Sequence, residues 1–250
     1  MELNKKIELA AQWIANADHL VAFTGAGIST HSGLPDFRGP DGVWTRRDKG
    51  LPPPKMKVPW DQVKPNKGHF ALYVLFKIGK LKYLISQNVD GLHAKSGIPF
   101  EKLSELHGNQ YFMRCLGCGK KFRFEEVGWD KQIWGNGYRT SQIRRGQPKC
   151  PKCDGRLISS IVNFGDPLPE DELYKAYEHS QKADIFFVIG SSLVVSPAAN
   201  MPGIAKKNGA KLVILNLGKT PYDNNADLRF FQDINKVLLP IVTKVKQKIK

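Results

Sequence analysis

The sequence is poor in cysteine and in long apolar runs. Only four of its 250 residues are cysteine, which argues against a disulfide framework in a chain of this length. The longest apolar stretches, such as IFFVIG at 185–190, fall far short of the roughly 20 residues that a membrane span needs. The charged N-terminus lacks the apolar core of a signal peptide. We therefore expect a soluble, intracellular protein that does not enter a membrane.

Acidic residues are scarce beside basic ones. The chain has 23 Asp and Glu against 38 Lys and Arg, a formal net charge of +15. Such an excess favours contact with nucleic acid, chromatin or acidic surfaces, although it does not indicate a fold. Internal repeats and low-complexity tracts are absent, and 41% of the residues are hydrophobic. A single-copy globular fold is therefore expected, and a disordered, fibrous or solenoid chain is not.

The apolar periodicity predicts an α/β protein with a Rossmann-like parallel sheet. Helical spacing occurs near 2–17, 68–79, 169–182, 197–208 and 233–248, and short buried-strand patterns occur at 19–23, 81–86, 185–189 and 211–216. Strands that alternate with helices favour a parallel sheet covered on both faces.

Two segments interrupt this alternation within what we expect to be a single domain, 1–250. Segment 46–67 has five prolines and seven Lys or Arg, which predicts an extended loop. Segment 110–160 holds all four cysteines and has a local charge balance of +7. We interpret 110–160 as a small inserted lobe, with 1–109 and 161–250 forming the sheet lobe.

The cysteines form two C-x-x-C pairs, Cys115 with Cys118 and Cys150 with Cys153. Two such pairs can close a tetrahedral thiolate shell around Zn²⁺ and leave no position open for water. The pattern predicts one structural zinc ion, with an iron–sulfur cluster or redox dithiols as alternatives. No cysteine is then left for nucleophilic catalysis.

A glycine loop, Gly25-Ala26-Gly27-Ile28-Ser29, directly follows the first predicted strand. Such a loop lets the backbone approach a phosphate closely, although a plain glycine turn is the alternative. Thr30 occupies the third glycine position of the dehydrogenase fingerprint, so hydride transfer is disfavoured. The loop that follows contains Asp36, Phe37 and Arg38 and could cover a ligand, or form a polar surface loop.

Polar residues follow three other predicted strands. They are Gln87, Asn88 and Asp90; Gly190, Ser191 and Ser192; and Asn216, Leu217 and Gly218. Because ligands bind beyond the carboxyl ends of parallel strands, we expect these residues to line one crevice, although polar turns are common after any strand. His107, in ELHGN, is a candidate general base, with a structural histidine as the alternative.

Taken in order, the motifs GAGIS, GLPDFRG, SQNVDGLH, ELHGN, the paired C-x-x-C, FGDPLP, GSS and NLG resemble the sirtuin family of NAD-dependent protein deacylases. The resemblance spans about residues 21–235. The details DFRGPDGVWT and KTPYDNNADL look most like the class IV branch, which is known for nuclear, chromatin-associated members.

The resemblance implies a role for each matching position. The implied NAD contacts are Gly25, Ala26, Gly27, Thr30, Asp36, Phe37, Arg38, Trp44, Gln87, Gly190, Ser191, Ser192, Asn216, Leu217, Gly218 and Ile234. His107 matches the general base, and Asn88 and Asp90 match residues around the nicotinamide pocket, so these three are the implied catalytic residues. Val162, Phe164 and Gly165 match the acyl-lysine channel, and 46–67 matches a loop on the cofactor side.

The implied reaction consumes NAD, releases nicotinamide and moves an acyl group from lysine to ADP-ribose. Asn163 stands where many members have an aromatic residue, which favours acyl chains other than acetyl. The implied partners are acyl-lysine proteins, with histones among the candidates, in the nucleus of a eukaryote or the cytoplasm otherwise. The alternatives are a protein mono-ADP-ribosyltransferase, or a non-enzymatic basic zinc module that binds DNA or chromatin.

Overall fold

A computed structural model describes residues 1–249 of the chain. The described chain divides into two compact units. The first contains Met1–Gln87, Leu92–Ser104 and the chain from Lys175 onward, and the second contains Asn88–Gly91 and Glu105–Tyr174. The predicted lobe 110–160 falls within the second unit; the functional boundaries drawn from the sequence stay predictions.

The strands, in chain order, are β1 Leu20–Thr24, β2 Leu81–Ser86, β3 Leu103–Glu105, β4 Phe112–Cys115, β5 Lys121–Arg123, β6 Leu157–Ser159, β7 Ile185–Ile189, β8 Lys211–Leu215 and β9 Leu228–Phe230. The α-helices are α1 Leu3–Asn16, α2 Val43–Asp48, α3 Lys67–Lys77, α4 Leu92–Lys95, α5 Lys131–Trp134, α6 Glu170–Lys182, α7 Met201–Lys207 and α8 Ile234–Lys248. Short 3₁₀ turns occupy Ala26–Ser32, Trp60–Gln62, Phe100–Lys102, Glu125–Val127, Ala198–Asn200 and Asp223–Asn225.

The larger sheet has six strands in the order β3-β2-β1-β7-β8-β9. Counted within this sheet alone, the order is 3-2-1-4-5-6, which is the order of dinucleotide-binding doubly wound folds. In this sheet β1 pairs with β2 and with β7, β7 pairs with β8, and β8 pairs with β9, and all four pairings are parallel. The strand order reverses between β1 and β7, and ligands bind at such a switch point beyond the carboxyl ends of the strands. The predicted α/β, Rossmann-like fold is confirmed.

The register aligns the carboxyl ends of the central strands. Thr24 at the end of β1 pairs with Ser86 of β2 on one side and with Ile189 of β7 on the other. The loops that begin at Gly25, Gln87 and Gly190 therefore start side by side. Every residue of β1 and β7 is buried, as expected for central strands covered on both faces.

The core of the first unit lies between this sheet and its helices. Helix α8 packs on α1 and α3, and α7 packs on β7 and β8. The largest fully buried side chains include Phe23, Phe186 and Phe187 from the central strands. Burying an aromatic side chain of this kind contributes about 2–3 kcal/mol.

Two predicted segments differ from the structure. Helix α7 starts at Met201 after a 3₁₀ turn, where the periodicity predicts one helix over 197–208. Pro202 marks the first helical turn because its missing N–H costs nothing there. The predicted loop 46–67 begins inside α2, contains the 3₁₀ turn Trp60–Gln62 and ends at the first residue of α3.

The second unit contains a three-stranded antiparallel sheet in the order β5-β4-β6. A small apolar cluster packs against it, with Met113, Trp129 and Leu157 buried beside two of the cysteines. The Trp129 indole N–H donates to the Gly135 carbonyl oxygen at 3.0 Å, which satisfies its polar group inside the cluster. Within residues 1–249, no helix combines the length and the apolar character that a membrane crossing requires.

Candidate functional site

The glycine loop after β1 packs directly on the loop after β7. The Gly25 N–H donates to Ile189 O at 3.1 Å, and the Gly27 N–H donates to Gly190 O at 2.9 Å. A Cβ added at Gly27 would lie 2.7 Å from the Gly190 Cα, and one added at Gly190 would lie 2.5 Å from the Ile28 nitrogen. Gly190 also has φ +66°, a conformation that L-residues rarely adopt. The glycines therefore permit two backbones to touch at the switch point.

Polar side chains at this edge are linked to one another. Gln87 Nε2 donates to Ser191 Oγ at 2.6 Å, so the ends of β2 and β7 share a hydrogen bond. Ser191 Oγ also accepts from the Leu193 N–H at 3.3 Å. After β8, Asn216 Nδ2 donates to Gly218 O at 3.0 Å, and the Leu217 side chain between them is exposed. Gln87 and Ser191 thus meet at this edge of the sheet in the first unit, and the crevice predicted to include the other residues stays a prediction.

The 3₁₀ turn Ala26–Ser32 is held in place by Asn66, the N-cap of α3. Its Nδ2 donates to Ile28 O at 2.8 Å and to Ser32 Oγ at 2.9 Å, and its Oδ1 accepts from the Gly68 N–H at 2.8 Å. One side chain therefore starts the helix and fixes the loop, as an N-cap asparagine can. Thr30 turns its hydroxyl inward, donating to Gly27 O at 3.0 Å.

Two buried histidines lie under this loop. His93 Nε2 is 2.8 Å from Thr24 Oγ1, and His69 Nε2 is 3.5 Å from Ser29 Oγ; the two imidazole rings are 4.9 Å apart. Burial lowers the pKa of His69 to about 3 and holds the pKa of His93 well below its usual value. Both rings are therefore neutral at physiological pH. This pair is not predicted from the sequence, although His93 ends the SQNVDGLH motif and His69 stands three residues after a helix-capping asparagine.

The loop predicted to cover a ligand is braced by Asp36. Its carboxylate accepts from the Gly39 N–H at 2.9 Å, and a Cβ at Gly42 would lie 2.6 Å from it. Burial raises the pKa of Asp36. These contacts show Asp36 stabilising the loop, and its predicted NAD contact stays a prediction.

Aromatic and cationic groups gather on the same loop. The Phe37 and Trp44 rings are 4.9 Å apart, and the Arg38 guanidinium lies 4.8 Å from the centre of the Trp44 ring. Arg38 also pairs with Asp48 at 2.7 Å. A guanidinium held next to aromatic faces suits a phosphate or a planar ring. Ile234, another predicted NAD contact, is the first residue of α8 and packs into the core.

In the second unit, the segment with Asn88 and Asp90 lies beside the turn with His107. Both polar side chains are buried, at 8% and 5% exposure. The Gln110 N–H donates to Val89 O at 2.9 Å and joins the two segments. The three predicted catalytic residues therefore belong to one compact unit.

The predicted acyl-lysine residues follow the same turn. The Val162 N–H donates to His107 O at 2.9 Å. Phe164 is 79% exposed, so its ring adds apolar surface next to this segment. Gly165 has φ +89° and makes the turn possible.

The four cysteine sulfurs cluster within 4.8 Å of one another. Cys115 Sγ is 3.5 Å from Cys153 Sγ, and Cys118 Sγ is 3.7 Å from Cys150 Sγ. Backbone N–H groups of Gly117 and Cys118 point at Cys115 Sγ, at 3.3 and 3.5 Å. Four thiolates at this spacing suit tetrahedral Zn²⁺ with no position left for water.

Three comparisons place this chain among known proteins. A family model described as "Sir2 family" matches residues 53–197. The NAD-dependent protein deacetylase SRT1 of Arabidopsis thaliana is 41% identical over 253 residues; the match covers 99% of this chain and 50% of SRT1. The chain thus spans about half the length of that plant relative. An NAD-dependent protein deacetylase of Rhodopseudomonas palustris is 40% identical over 96% of this chain and 97% of its own length. The solved structure "Sir2-p53 peptide-NAD+" is 34% identical, with a TM-score of 0.72 over 99% of this chain and 100% of that one.

Proposed function

Because this chain belongs to the Sir2 family, we propose that it is an NAD-dependent protein-lysine deacylase. It would transfer the acyl group of a modified lysine to ADP-ribose and release nicotinamide. The family resemblance drawn from the motifs is confirmed, and the class IV placement stays a prediction. The proposal rests on relatives named for NAD-dependent deacetylation and on the geometry below.

One observation carries the proposal: His107 and the buried polar residues Asn88 and Asp90 lie on adjacent segments joined by a backbone hydrogen bond. Deacylation needs a base for a ribose hydroxyl and negative charge near a developing ribosyl cation, without a protein nucleophile. A histidine beside a buried carboxylate and a buried amide supplies these groups.

Each site residue then has a defined task. NAD would supply an electrophilic ribose carbon and nicotinamide as leaving group. Asp90 stabilises positive charge on the ribose, and Asn88 orients the reacting groups through its amide. His107 accepts the proton of a ribose hydroxyl. At the switch point of the first unit, Gln87 and Ser191 present an amide and a hydroxyl of the kind that bind ribose.

The cysteine cluster has a separate task. We propose that Cys115, Cys118, Cys150 and Cys153 hold one structural Zn²⁺. A four-thiolate shell is closed, so it stabilises the second unit and takes no part in the reaction. The clustering of the four sulfurs supports this proposal.

Substrates and compartment follow from the same proposal. We propose that acyl-lysine proteins, with histones as candidates, are the substrates, and that the enzyme works in the nucleus of a eukaryote or the cytoplasm of a prokaryote. Asn163 supports a preference for acyl groups other than acetyl. The +15 charge supports additional non-specific contact with nucleic acid or chromatin through phosphates.

The test measures nicotinamide release from NAD with lysine peptides that carry acetyl, succinyl or long fatty acyl groups. We expect release with at least one peptide and its loss, by about 100-fold or more, in His107→Ala. The matched control is His19→Gln, which removes a partly buried histidine that precedes β1. Deacylation that is unchanged in His107→Ala would refute the catalytic assignment. Intact-mass detection of ADP-ribose on protein, with the acyl-lysine unchanged, would identify a mono-ADP-ribosyltransferase instead.

A further inference from the structure

Glu105 makes two hydrogen bonds across the turn that carries His107. Strand β3 ends at Glu105, and the chain reverses over the next two residues, where the Gly108 N–H donates to Glu105 O at 2.9 Å. The Glu105 side chain then reaches the far end of the turn, where its Oε1 accepts from Asn109 Nδ2 at 2.6 Å. The backbone and the carboxylate of one residue therefore both hold the loop around His107.

On its far side, the backbone of the turn is held by Ser160. Ser160 Oγ accepts from the Asn109 N–H at 3.0 Å and donates to Asn109 O at 2.6 Å. Gly108 has φ +80°, and a Cβ there would overlap the Ser160 carbonyl oxygen. The Tyr111 N–H donates to Asn109 Oδ1 at 3.0 Å, so the Asn109 amide must present its NH₂ group to Glu105.

Glu105 belongs to a buried cluster that has more acids than bases. Its Oε2 is 3.9 Å from Lys121 Nζ, and the same ammonium donates to Glu172 Oε1 at 2.6 Å. Glu105, Glu172 and Asp90 are each at most 5% exposed. Two buried carboxyl groups, those of Glu105 and Glu172, therefore share one lysine, and the third buried acid, Asp90, adds negative charge near Glu105.

We propose that Glu105 is a positioning residue for His107, because its ionised carboxylate clamps Asn109 across the catalytic turn and Lys121 helps to keep that carboxylate charged. The inference rests on the proposed deacylase function. A charge-assisted hydrogen bond is shorter and about twice as strong as a neutral one. The clamp is therefore strongest when Glu105 is ionised and weakens when it is protonated.

The electrostatics set the pH range in which the clamp changes. Burial is the main cause that raises the pKa of Glu105, to about 7; Glu172 and Asp90 raise it further, while Lys121 and the Asn109 hydrogen bond lower it. Ionised Glu105 is thus favoured above neutral pH. Because its pKa is higher in the folded than in the unfolded state, the stability it contributes is present at low pH and is lost as pH rises from about 4.5 to 7.

Ionisation of Glu105 strengthens its clamp on Asn109 but lowers the stability of the fold. These opposite effects separate a positioning role from a purely structural one. The variant Glu105→Gln keeps the size of the side chain and an acceptor for Asn109, but it removes the charge. A structural role predicts a lower melting temperature for the variant. The raised pKa predicts a higher melting temperature for the variant at pH 8, because a buried charge is removed, and the positioning role predicts a lower kcat at the same time.

The experiment uses the full chain and measures melting temperature and steady-state nicotinamide release, with NAD and the best acyl-lysine peptide, from pH 6 to 9. For Glu105→Gln we expect kcat to fall about tenfold or more, the KM for NAD to stay within about twofold, and the rise in activity near pH 7 to disappear. Lys121→Met should move that rise to higher pH, and Lys121→Arg should restore it. Glu101→Gln, an exposed glutamate on the Phe100–Lys102 turn, is the matched control and should change neither readout.

The outcomes are separable. If the wild-type protein releases no nicotinamide with any acyl peptide, the proposed function fails. If the wild type is active and Glu105→Gln keeps its kcat and pH profile, the positioning role is wrong. A lower melting temperature in Glu105→Gln, with activity lost only in proportion to folded protein, would also overturn the inference and leave Glu105 as a structural residue.

Discussion

Acidification should destabilise the first unit through the buried imidazole of His69. Its Nδ1 accepts from the Asn66 N–H at 3.2 Å, which completes the capping box at the start of α3. A protonated ring cannot accept that bond, and burial lowers the pKa of His69 from 6.5 to about 3. Below pH 6.5 the unfolded chain therefore binds a proton that the folded chain does not. The stability is complete above that pH and falls as pH drops toward 3.

The expected magnitude follows from the two pKa values. One pH unit corresponds to about 1.4 kcal/mol for a group that is protonated only in the unfolded state. Between pH 7.5 and pH 5, His69 alone should remove about 2 kcal/mol of unfolding free energy, a fall of roughly 4–8 °C in melting temperature for a chain of this size. His93 changes stability in the same direction because burial also lowers its pKa.

Urea unfolding at pH 7.5, 6.5, 5.5 and 5.0 measures the effect as a difference between the wild type and His69→Gln. Glutamine at this position can still accept the Asn66 N–H in a capping box but does not titrate. The variant should therefore lose about 2 kcal/mol less than the wild type over this range. His31→Gln, at an exposed histidine, is the control and should not reduce the acid sensitivity. Parallel curves for the wild type and His69→Gln would refute the argument.

Two further predictions concern the metal and the switch point. Chelation, or Cys150→Ser, should remove one zinc ion per chain by elemental analysis and lower the melting temperature of the second unit; a metal-free protein with unchanged melting would contradict the structural assignment. Gly190→Ala should destabilise the protein by more than Gly79→Ala and weaken NAD binding by calorimetry. Both glycines have positive φ, but only Gly190 has backbone within 2.5 Å of the added Cβ. Equal losses in the two variants would show that steric overlap has no part.

Much of the first unit could be predicted because its signals are local. The strands at 81–86 and 185–189 have the predicted bounds, since each is a short apolar run ended by glycine, asparagine or serine. Strands β3 and β9 were not predicted because each has only three residues. A run of three residues carries no measurable periodicity, and its neighbours in the sheet decide its conformation.

The candidate site likewise contains features that local sequence predicts and features that depend on residues far apart in the chain. The two C-x-x-C pairs predict a four-sulfur cluster because each pair contributes two ligands from one turn. The number of residues between the two pairs does not affect this prediction. Glu105 stood in the ELHGN motif beside His107, yet its role was not predicted. Its partner Lys121 is 16 residues further along the chain, and Glu172 follows 51 residues after Lys121.

By itself, then, the sequence argued against a disulfide framework through its scarcity of cysteine, and it determined the parallel α/β pattern and the order of the motifs. These features depend on residue type and short spacing. Only the tertiary structure decided which polar groups are buried together. The low pKa of His69 and the high pKa of Glu105 both arise from burial. Burial is a property of the packed chain, and no local run of residues encodes it.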